Sequence, residues 1–396
     1  MFSFKQGMYI VDIKYINGDL DYTIDFYSGE RSENKDFNKI RTINLDVQNT
    51  NDILTFDKAY LSKIEKFFNH MYLRFKKINI DFSAFIKLHN ERIIIDNYLE
   101  DFRKYGFCKI VLKDSLNNIY TDDIPITTSN PSYLEDEILK HIINDNINYI
   151  NSIQNTKSKI EFENIPVIFS SRAAGYFIHE ILGHSLENDF FSYNKETFSN
   201  LEISSKLTVI DSIEGYENIV GLNKYDDMGT LIKPLNLIEK GKLKNIISTE
   251  TTESFDEKLY GFSRRESYKT SILPRMRCTF IKSFDDMNEN DIISKYKNAI
   301  FLDKTYLGGV NPQNNNYFVR GQGFLIKNGE KTNLINNLNL KGNIVKDLKS
   351  FDYIGNDFNV YGNFCSKLEQ TVRVGVGGPT ISLRDMSIEG EIYGKY

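Results

Sequence analysis

The chain has 396 residues, 40% of them hydrophobic, and a mean hydropathy of −0.40, which together indicate a soluble globular protein of two or three domains. Its net charge of −5 and pI of about 5.7 argue against a protein that holds nucleic acid by neutralising phosphates. No apolar run is long enough to cross a membrane, the first residues lack a signal-peptide core, and three widely spaced cysteines favour a reducing cytoplasm.

The first part of the chain is predicted to form antiparallel strands and one amphipathic helix. Residues 8–16 alternate apolar and polar side chains, residues 17–18 form an Asn-Gly turn, and residues 20–26 return as a second strand. Residues 39–47 are predicted as a third strand. Residues 60–75 carry apolar side chains at helical spacing, which predicts a helix with one buried face.

Shorter strand patterns follow this helix. Two strands are predicted at 82–89 and 92–96, with a turn at the Asn-Glu pair between them. A further hairpin is predicted from 107–112 and 119–122. Cys108 falls inside its first strand, where a buried thiol that packs as a small hydrophobic side chain is the simplest interpretation.

The domain boundary is placed in a polar stretch without apolar anchors, residues 154–159. A helix over 133–153, containing His141, is predicted to end just before it. We therefore predict an α+β protein with two parts. Residues 1–159 form a mixed N-terminal region of helices and antiparallel strands, and residues 160–396 form a β-rich C-terminal domain.

Residues 179–184, HEILGH, are the strongest functional signal in the chain, and they lie on a helix predicted to begin after a Ser170 cap. Two histidines and an adjacent carboxylate, Glu180, are the groups with which metallopeptidases hold zinc and move a proton. The histidines are five residues apart, about 140° around an ideal helix. Both rings can reach one metal if the helix loosens to a π-type turn or ends near Gly183.

The residues alone leave two points open. The histidines could be two unrelated side chains on a core helix, which would carry no metal. A catalytic zinc site needs a third protein ligand, and the candidates are the three cysteines and the other histidines: Cys108, Cys278, Cys365, His70, His89 and His141.

Several blocks in the second half of the chain resemble, in the same order, those of the TldD/PmbA family of zinc metallopeptidases. The histidine segment is similar to the family's HExxxH signature. The resemblance covers roughly residues 163–396 and is weak over the first 160. The other blocks are SLENDF at 185–190, YDDMGT at 225–230, RRESY at 264–268, LPRM at 273–276, LGGV at 307–310, FLIKNG at 324–329, CSKLEQ at 365–370 and VGVGGPT at 374–380.

The resemblance implies the third ligand and the role of each site residue. The family's tail cysteine falls on Cys365, so that His179, His184 and Cys365 would hold one Zn²⁺ per active subunit. Glu180 would accept a proton from the attacking water and deliver it to the leaving amine.

A second, basic block has two interpretations. Arg264, Arg265 and Tyr268 could steady the substrate or the oxyanion of the reaction. Equally, they could form a structural cluster of ion pairs and packing contacts.

The function implied by the resemblance is zinc-dependent hydrolysis of peptide bonds in unfolded or short peptides, including precursors of modified peptides. A homologous subunit is the expected partner, in a homo- or heterodimer, and neither a membrane nor direct nucleic-acid contact is expected. One alternative is a non-catalytic scaffold subunit of a TldD/PmbA-type heterodimer. Another is a modulator linked to DNA gyrase, which the acidic charge and the absence of a basic stripe disfavour.

Overall fold

A computed structural model of the protein describes residues 2–34, 37–41, 58–115, 119–126, 157–222, 224–249, 261–282 and 285–393. The N-terminal part is a six-stranded antiparallel sheet in the order β3-β2-β1-β4-β5-β6, covered on one face by a helix. Its elements are Phe2–Ile16 (β1), Asp19–Asn34 (β2), Phe37–Arg41 (β3), Lys58–Lys76 (α1), Ile80–Ile95 (β4), Leu99–Asp114 (β5) and Ile119–Ile126 (β6).

Helix α1 packs its apolar stripe onto the sheet. Its residues Ile64, Phe68, Met71 and Phe75 are buried, and they share a core with the alternating inward residues of β1 and β4. The predicted hairpin across Asn17-Gly18, the predicted helix and the hairpin of β5 and β6 are confirmed, each over a longer span. The third strand was predicted at 39–47, and only its beginning lies within the described residues. The helix predicted at 133–153 lies outside them.

The prediction of two short strands at 82–89 and 92–96 is wrong, because both belong to the continuous strand β4. The pair expected to turn, Asn90 and Glu91, is buried in the middle of the sheet. Glu91 is paired with Met8 of β1 and accepts a hydrogen bond from the Tyr105 hydroxyl (2.9 Å). Burial in a paired strand thus overrides the local turn preference, and the chain turns after Ile95 instead.

The C-terminal part contains two further six-stranded sheets, in the orders β10-β9-β8-β13-β19-β18 and β16-β15-β14-β7-β20-β17. Strand β16 also pairs with β20, which closes five strands of the last sheet into a ring. The strands are Lys157–Phe169 (β7), Val209–Asp211 (β8), Leu235–Glu239 (β9), Lys242–Leu243 (β10), Ser263–Arg264 (β11), Leu273–Pro274 (β12), Cys278–Ile281 (β13), Asn298–Asn311 (β14), Asn316–Lys327 (β15), Glu330–Asn343 (β16), Phe351–Ile354 (β17), Asn359–Lys367 (β18), Gln370–Gly378 (β19) and Ile381–Tyr393 (β20).

One short helix lies between these two sheets and contacts both of them. The C-terminal helices are Ser171–Ile178 (α2), Asn188–Phe191 (α3), Lys195–Ser199 (α4), Glu217–Val220 (α5), Glu289–Ser294 (α6) and Ile344–Asp347 (α7). Helix α2 buries its apolar face against strands β14 and β19. It approaches β19 so closely that a Cβ at Gly175 would lie 2.6 Å from the backbone nitrogen of Gly377. The predicted α+β class is confirmed, whereas the boundary between 1–159 and 160–396 stays a prediction.

The N-terminal sheet lies against the C-terminal part through its face opposite α1. Arg103 on β5 donates hydrogen bonds to Asp227 Oδ1 (2.6 Å) and to the Tyr225 carbonyl (2.9 Å). The ring of Tyr268 covers Gly29 on β2, where a Cβ would come within 2.1 Å of it. Among the helices in the described part of the chain, none has the length and apolarity that a membrane crossing needs.

Candidate metal centre

Helix α2 loosens where the histidine motif begins. The Ser170 side chain caps it by accepting a hydrogen bond from the Ala173 amide (3.1 Å). After Ile178 the backbone forms a π-helical turn over His179–Gly183 and then a 3₁₀ turn over His184–Leu186. The amide of His184 accordingly donates to the carbonyl of His179, five residues back. Both conditions stated from the spacing, a π-type turn and an end near Gly183, are therefore met.

The structure brings the two histidines of the motif together with Cys365. Their candidate ligand atoms all lie within 4.8 Å of one another, and all three side chains are buried. The two imidazole rings have centroids 4.9 Å apart, and Nε2 of His184 is 3.2 Å from Sγ of Cys365. Cys108 and Cys278, the other two candidate cysteines, are buried in β5 and β13 outside this group.

The two histidines favour the thiolate form of Cys365. Burial alone would raise the pKa of the Cys365 thiol, but His184 and His179 beside it hold that pKa well below its usual range. For His184 the directions are reversed. Burial acts to lower the pKa of its ring, but the negative charges of Cys365 and Glu187 raise that pKa well above its ordinary value. Two imidazole rings and a thiol that readily loses its proton are a donor set that fits zinc, since a bound metal displaces the proton from His184.

Glu187 orients one of the histidines, a role that was not predicted from the sequence. Its fully buried carboxylate lies 2.8 Å from Nδ1 of His184, and the Met276 amide and Lys367 Nζ donate to it at 3.0 and 2.8 Å. These contacts leave Nε2 of His184 directed at Cys365, as in carboxylate–histidine–metal arrangements. A carboxylate three residues after a candidate ligand was the available signal.

Lys367 connects strand β18, which carries Cys365, to the segment that follows the two histidines. It follows Cys365 by two residues on β18, and its ammonium group also donates to Asp189 (2.7 Å) and lies over the ring of Phe190, 4.6 Å from the centroid. Burying this cation is compensated by two carboxylates and a carbonyl. The register of β18 relative to the motif is fixed in this way.

Glu180 is buried next to the same group, with Tyr176 one helical turn before it. Burial and a hydrogen bond to the Glu180 carboxylate raise the pKa of Tyr176. Strand β14 passes directly over both side chains. A Cβ at Gly308 would lie 2.8 Å from the Tyr176 ring and 2.9 Å from Cγ of Glu180, so glycine is required there. A small cavity of about 120 Å³ borders Tyr176 on this side.

The basic block contributes packing and hydrogen bonds to backbone. Arg264 is buried and donates to the carbonyls of Met276 (2.7 Å) and Arg373. The guanidinium of Arg265 lies 4.6 Å from the centroid of the Phe4 ring, and Tyr268 packs on the N-terminal sheet. These contacts match the structural alternative, and a substrate role for the three residues stays a prediction.

Comparison with known proteins identifies relatives for the C-terminal part. A family model described as the PmbA/TldA metallopeptidase C-terminal domain matches residues 163–390. A metalloprotease of Methanocaldococcus jannaschii is 35% identical over 218 residues, which is 54% of this chain and 48% of that protein. A zinc metalloprotease TldD homolog of Saccharolobus solfataricus is 28% identical over 232 residues, 57% of this chain and 52% of its own length. The chain thus spans about half the length of these curated relatives.

The whole fold also has a counterpart among solved structures. TldE from Thermococcus kodakarensis superposes with a TM-score of 0.66 at 14% sequence identity, covering 98% of this chain and 96% of that one. The family model and the curated relatives define the class of the C-terminal part, which is a metallopeptidase-family domain. Because the family model matches more than half of its residues, the chain belongs to the PmbA/TldD family.

Proposed function

We propose that the protein is a zinc-dependent peptidase whose metal is held by His179, His184 and Cys365. The observation that carries this proposal is that His179, His184 and Cys365 converge in one buried group beside Glu180, although Cys365 follows His184 by 181 residues. Three protein ligands leave a position open for water and substrate, which distinguishes a catalytic zinc site from a structural one.

The reaction follows from the groups around this centre. A zinc ion bound there supplies the Lewis acidity that makes water a nucleophile near neutral pH. Glu180 takes the proton of the attacking water and passes it to the leaving amine. The Tyr176 hydroxyl holds the Glu180 carboxylate in position, and Glu187 fixes the ring of His184. Both carboxylates are buried, which limits their contact with bulk water.

Strand β18 offers a way to hold a peptide in extended form. It carries Cys365 and lies at the end of its sheet, so one of its edges has no strand partner among the described residues. An unfolded or short peptide could add to that edge through main-chain hydrogen bonds, and this fits substrates such as modified-peptide precursors. Cys365 must stay out of disulfide bonds to bind a metal, and a reducing compartment such as the cytoplasm favours this state.

A homologous subunit is the proposed partner, since the fold matches that of TldE from Thermococcus kodakarensis. The scaffold alternative, a subunit without catalysis, is less well supported because this chain holds all three candidate ligands and the adjacent glutamate in one place.

Zinc content is the direct test of this proposal. We expect about one zinc per chain by elemental mass spectrometry when the protein is purified without chelators, and hydrolysis of unstructured peptides that stops on metal removal and returns on adding Zn²⁺. Metal-free protein under these conditions would favour the scaffold alternative.

Replacing Glu187 with glutamine is expected to weaken zinc binding by roughly 10–100-fold, the usual effect of losing a carboxylate that orients a metal-bound histidine. In Glu187, one carboxylate oxygen contacts both His184 and Lys367, and the other accepts the hydrogen bond of the Met276 backbone amide. A glutamine side chain has only one oxygen, so one of these two positions loses its acceptor. Competition with a zinc chelator measures the affinity. Glu196→Gln makes the same chemical change at an exposed position of α4 and is the matched control. Equal zinc affinities of the two variants would refute the orienting role.

A further inference from the structure

A larger cavity, about 580 Å³, lies between the N-terminal sheet and the hairpin of β18 and β19. Its floor is the sheet face opposite α1. Ile10, His89 and Tyr105 are paired across β1, β4 and β5, so their side chains share that face. Its roof is formed by residues of β18 and β19, including Phe364 and Arg373. A cavity of this size accommodates a large side chain with its adjoining backbone.

This cavity adjoins the proposed reaction site. Gly362, Asn363 and Phe364 line both the large cavity and the smaller one that borders Tyr176. Cys365 is the next residue on the same strand, and alternation along a strand points it to the opposite face from Phe364. A peptide lying along β18 beside Glu180 would therefore have one of its side chains over the larger cavity.

The walls favour an aromatic occupant. The rings of His89 and Tyr105 stack with centroids 4.6 Å apart, and those of Phe107 and Phe364 meet edge to face at 4.8 Å. Flat ring surfaces of this kind gain from contact with a further ring beyond simple area burial. Both ring nitrogens of His89 are buried without a hydrogen-bond partner among the described residues, and the peptidase mechanism does not use them.

The charge of the lining favours an acidic neighbour. Three cationic side chains, Lys87, Lys109 and Arg373, border the cavity, against one carboxylate, that of Glu266. Lys87 also lies 3.4 Å from Asp12, which offsets part of its charge. The remaining excess of positive charge attracts a carboxylate on the ligand and repels a lysine or arginine.

We propose that this cavity is a specificity subsite that takes an aromatic side chain of the peptide substrate when an acidic residue adjoins it. The proposal rests on the proposed peptidase function and adds a sequence preference to it. The aromatic ring packs on the floor of the cavity beside Ile10 and His89, and the carboxylate lies towards the lysines that line it.

Binding to a protein that cannot cleave is the test. Zinc-loaded Glu180→Gln protein is titrated into each of three fluorescently labelled decapeptides, and binding is followed by fluorescence anisotropy. The peptides differ only in their two central residues, which are Phe-Asp, Ala-Asp or Phe-Lys. The Phe-Asp peptide is expected to bind roughly 10–30-fold more tightly than Ala-Asp, from burial of one aromatic side chain. Phe-Lys is expected to bind several-fold more weakly than Phe-Asp, with a difference that shrinks as salt rises.

Two variants, each made in the Glu180→Gln protein, locate the effect. Ile10→Trp fills the cavity from its floor and should remove the preference for Phe-Asp over Ala-Asp. Ile24→Trp adds the same ring at a half-exposed position on neighbouring β2, outside the cavity, and should leave the preference intact. Phe107→Ala removes an aromatic side chain from the cavity wall and should reduce the same preference, so it serves as a second test if Ile10→Trp unfolds in a thermal melt.

The outcomes separate the subsite from the peptidase function. Equal affinity for Phe-Asp and Ala-Asp overturns the subsite and leaves the peptidase proposal standing. So does a preference that survives Ile10→Trp or, where that variant unfolds, Phe107→Ala. Hydrolysis of peptides by the parent protein, measured separately, tests the peptidase proposal. Failure to bind any of the three peptides overturns the subsite, and combined with absent hydrolysis it overturns both.

Discussion

Replacing Glu180 with glutamine is expected to lower peptide hydrolysis by roughly 10²–10⁴-fold, the range for loss of a general acid–base group, while the zinc content stays unchanged. The carboxylate is buried next to the metal group and is not one of the three proposed ligands. The amide that replaces it has nearly the same shape, and its oxygen can still accept the hydrogen bond from Tyr176. The substitution therefore removes the proton acceptor and little else.

Cleavage of an unstructured peptide mixture, followed by mass spectrometry, and elemental analysis of the same samples measure the two quantities together. Glu163→Gln, at an exposed position of β7, makes the same chemical change away from the site and should be fully active. A Glu180→Gln protein that keeps both zinc and parental activity would show that another group moves the proton.

The π-helical turn was predictable because the histidine spacing restricts the backbone. Rings five residues apart diverge on a regular helix, so only a few local geometries can bring them to one point. The turn over His179–Gly183 is one of those geometries. Gly183 also leaves room for Met276, whose sulfur would lie 1.8 Å from a Cβ at that position. The sequence contains the spacing but not this contact.

Spacing shows a carboxylate three residues after His184, but it does not show what holds that carboxylate in place. Glu187 accepts hydrogen bonds from Lys367, 180 residues further along the chain, and from the amide of Met276, 89 residues away. The choice of Cys365 over Cys108 and Cys278 likewise depended on a family resemblance. Long-range pairing of strands decides which residues meet, and local pattern carries no information on it.

The error in β4 has the same origin. Asn90 and Glu91 are typical of a turn when considered locally, yet they are buried in a strand that is paired on both sides. The N-terminal hairpin was predicted correctly because its Asn-Gly turn and the alternation of residues 8–16 agree. Prediction was reliable where local preference and tertiary context coincide.

Replacing Cys365 with serine is expected to remove most of the bound zinc. The thiolate is one of three proposed ligands, and a neutral hydroxyl is a far weaker donor that stays protonated near neutral pH. The charge that His179 and His184 now stabilise on sulfur is lost as well. With a parent that binds about one zinc per chain, we expect a variant that retains little after gel filtration.

Thermal unfolding gives an independent reading of the same change. A ligand that binds only the folded state stabilises it, by about 2.7 kcal/mol at a concentration of 100 times Kd, so Zn²⁺ should raise the Tm of the metal-free parent and leave that of Cys365→Ser unmoved. Cys278→Ser is the matched control, because that thiol is also buried in a strand but lies outside the metal group. It should bind zinc as the parent does. Full zinc content in Cys365→Ser would mean that another residue is the third ligand. The proposed metal site, and the mechanism based on it, would then be wrong.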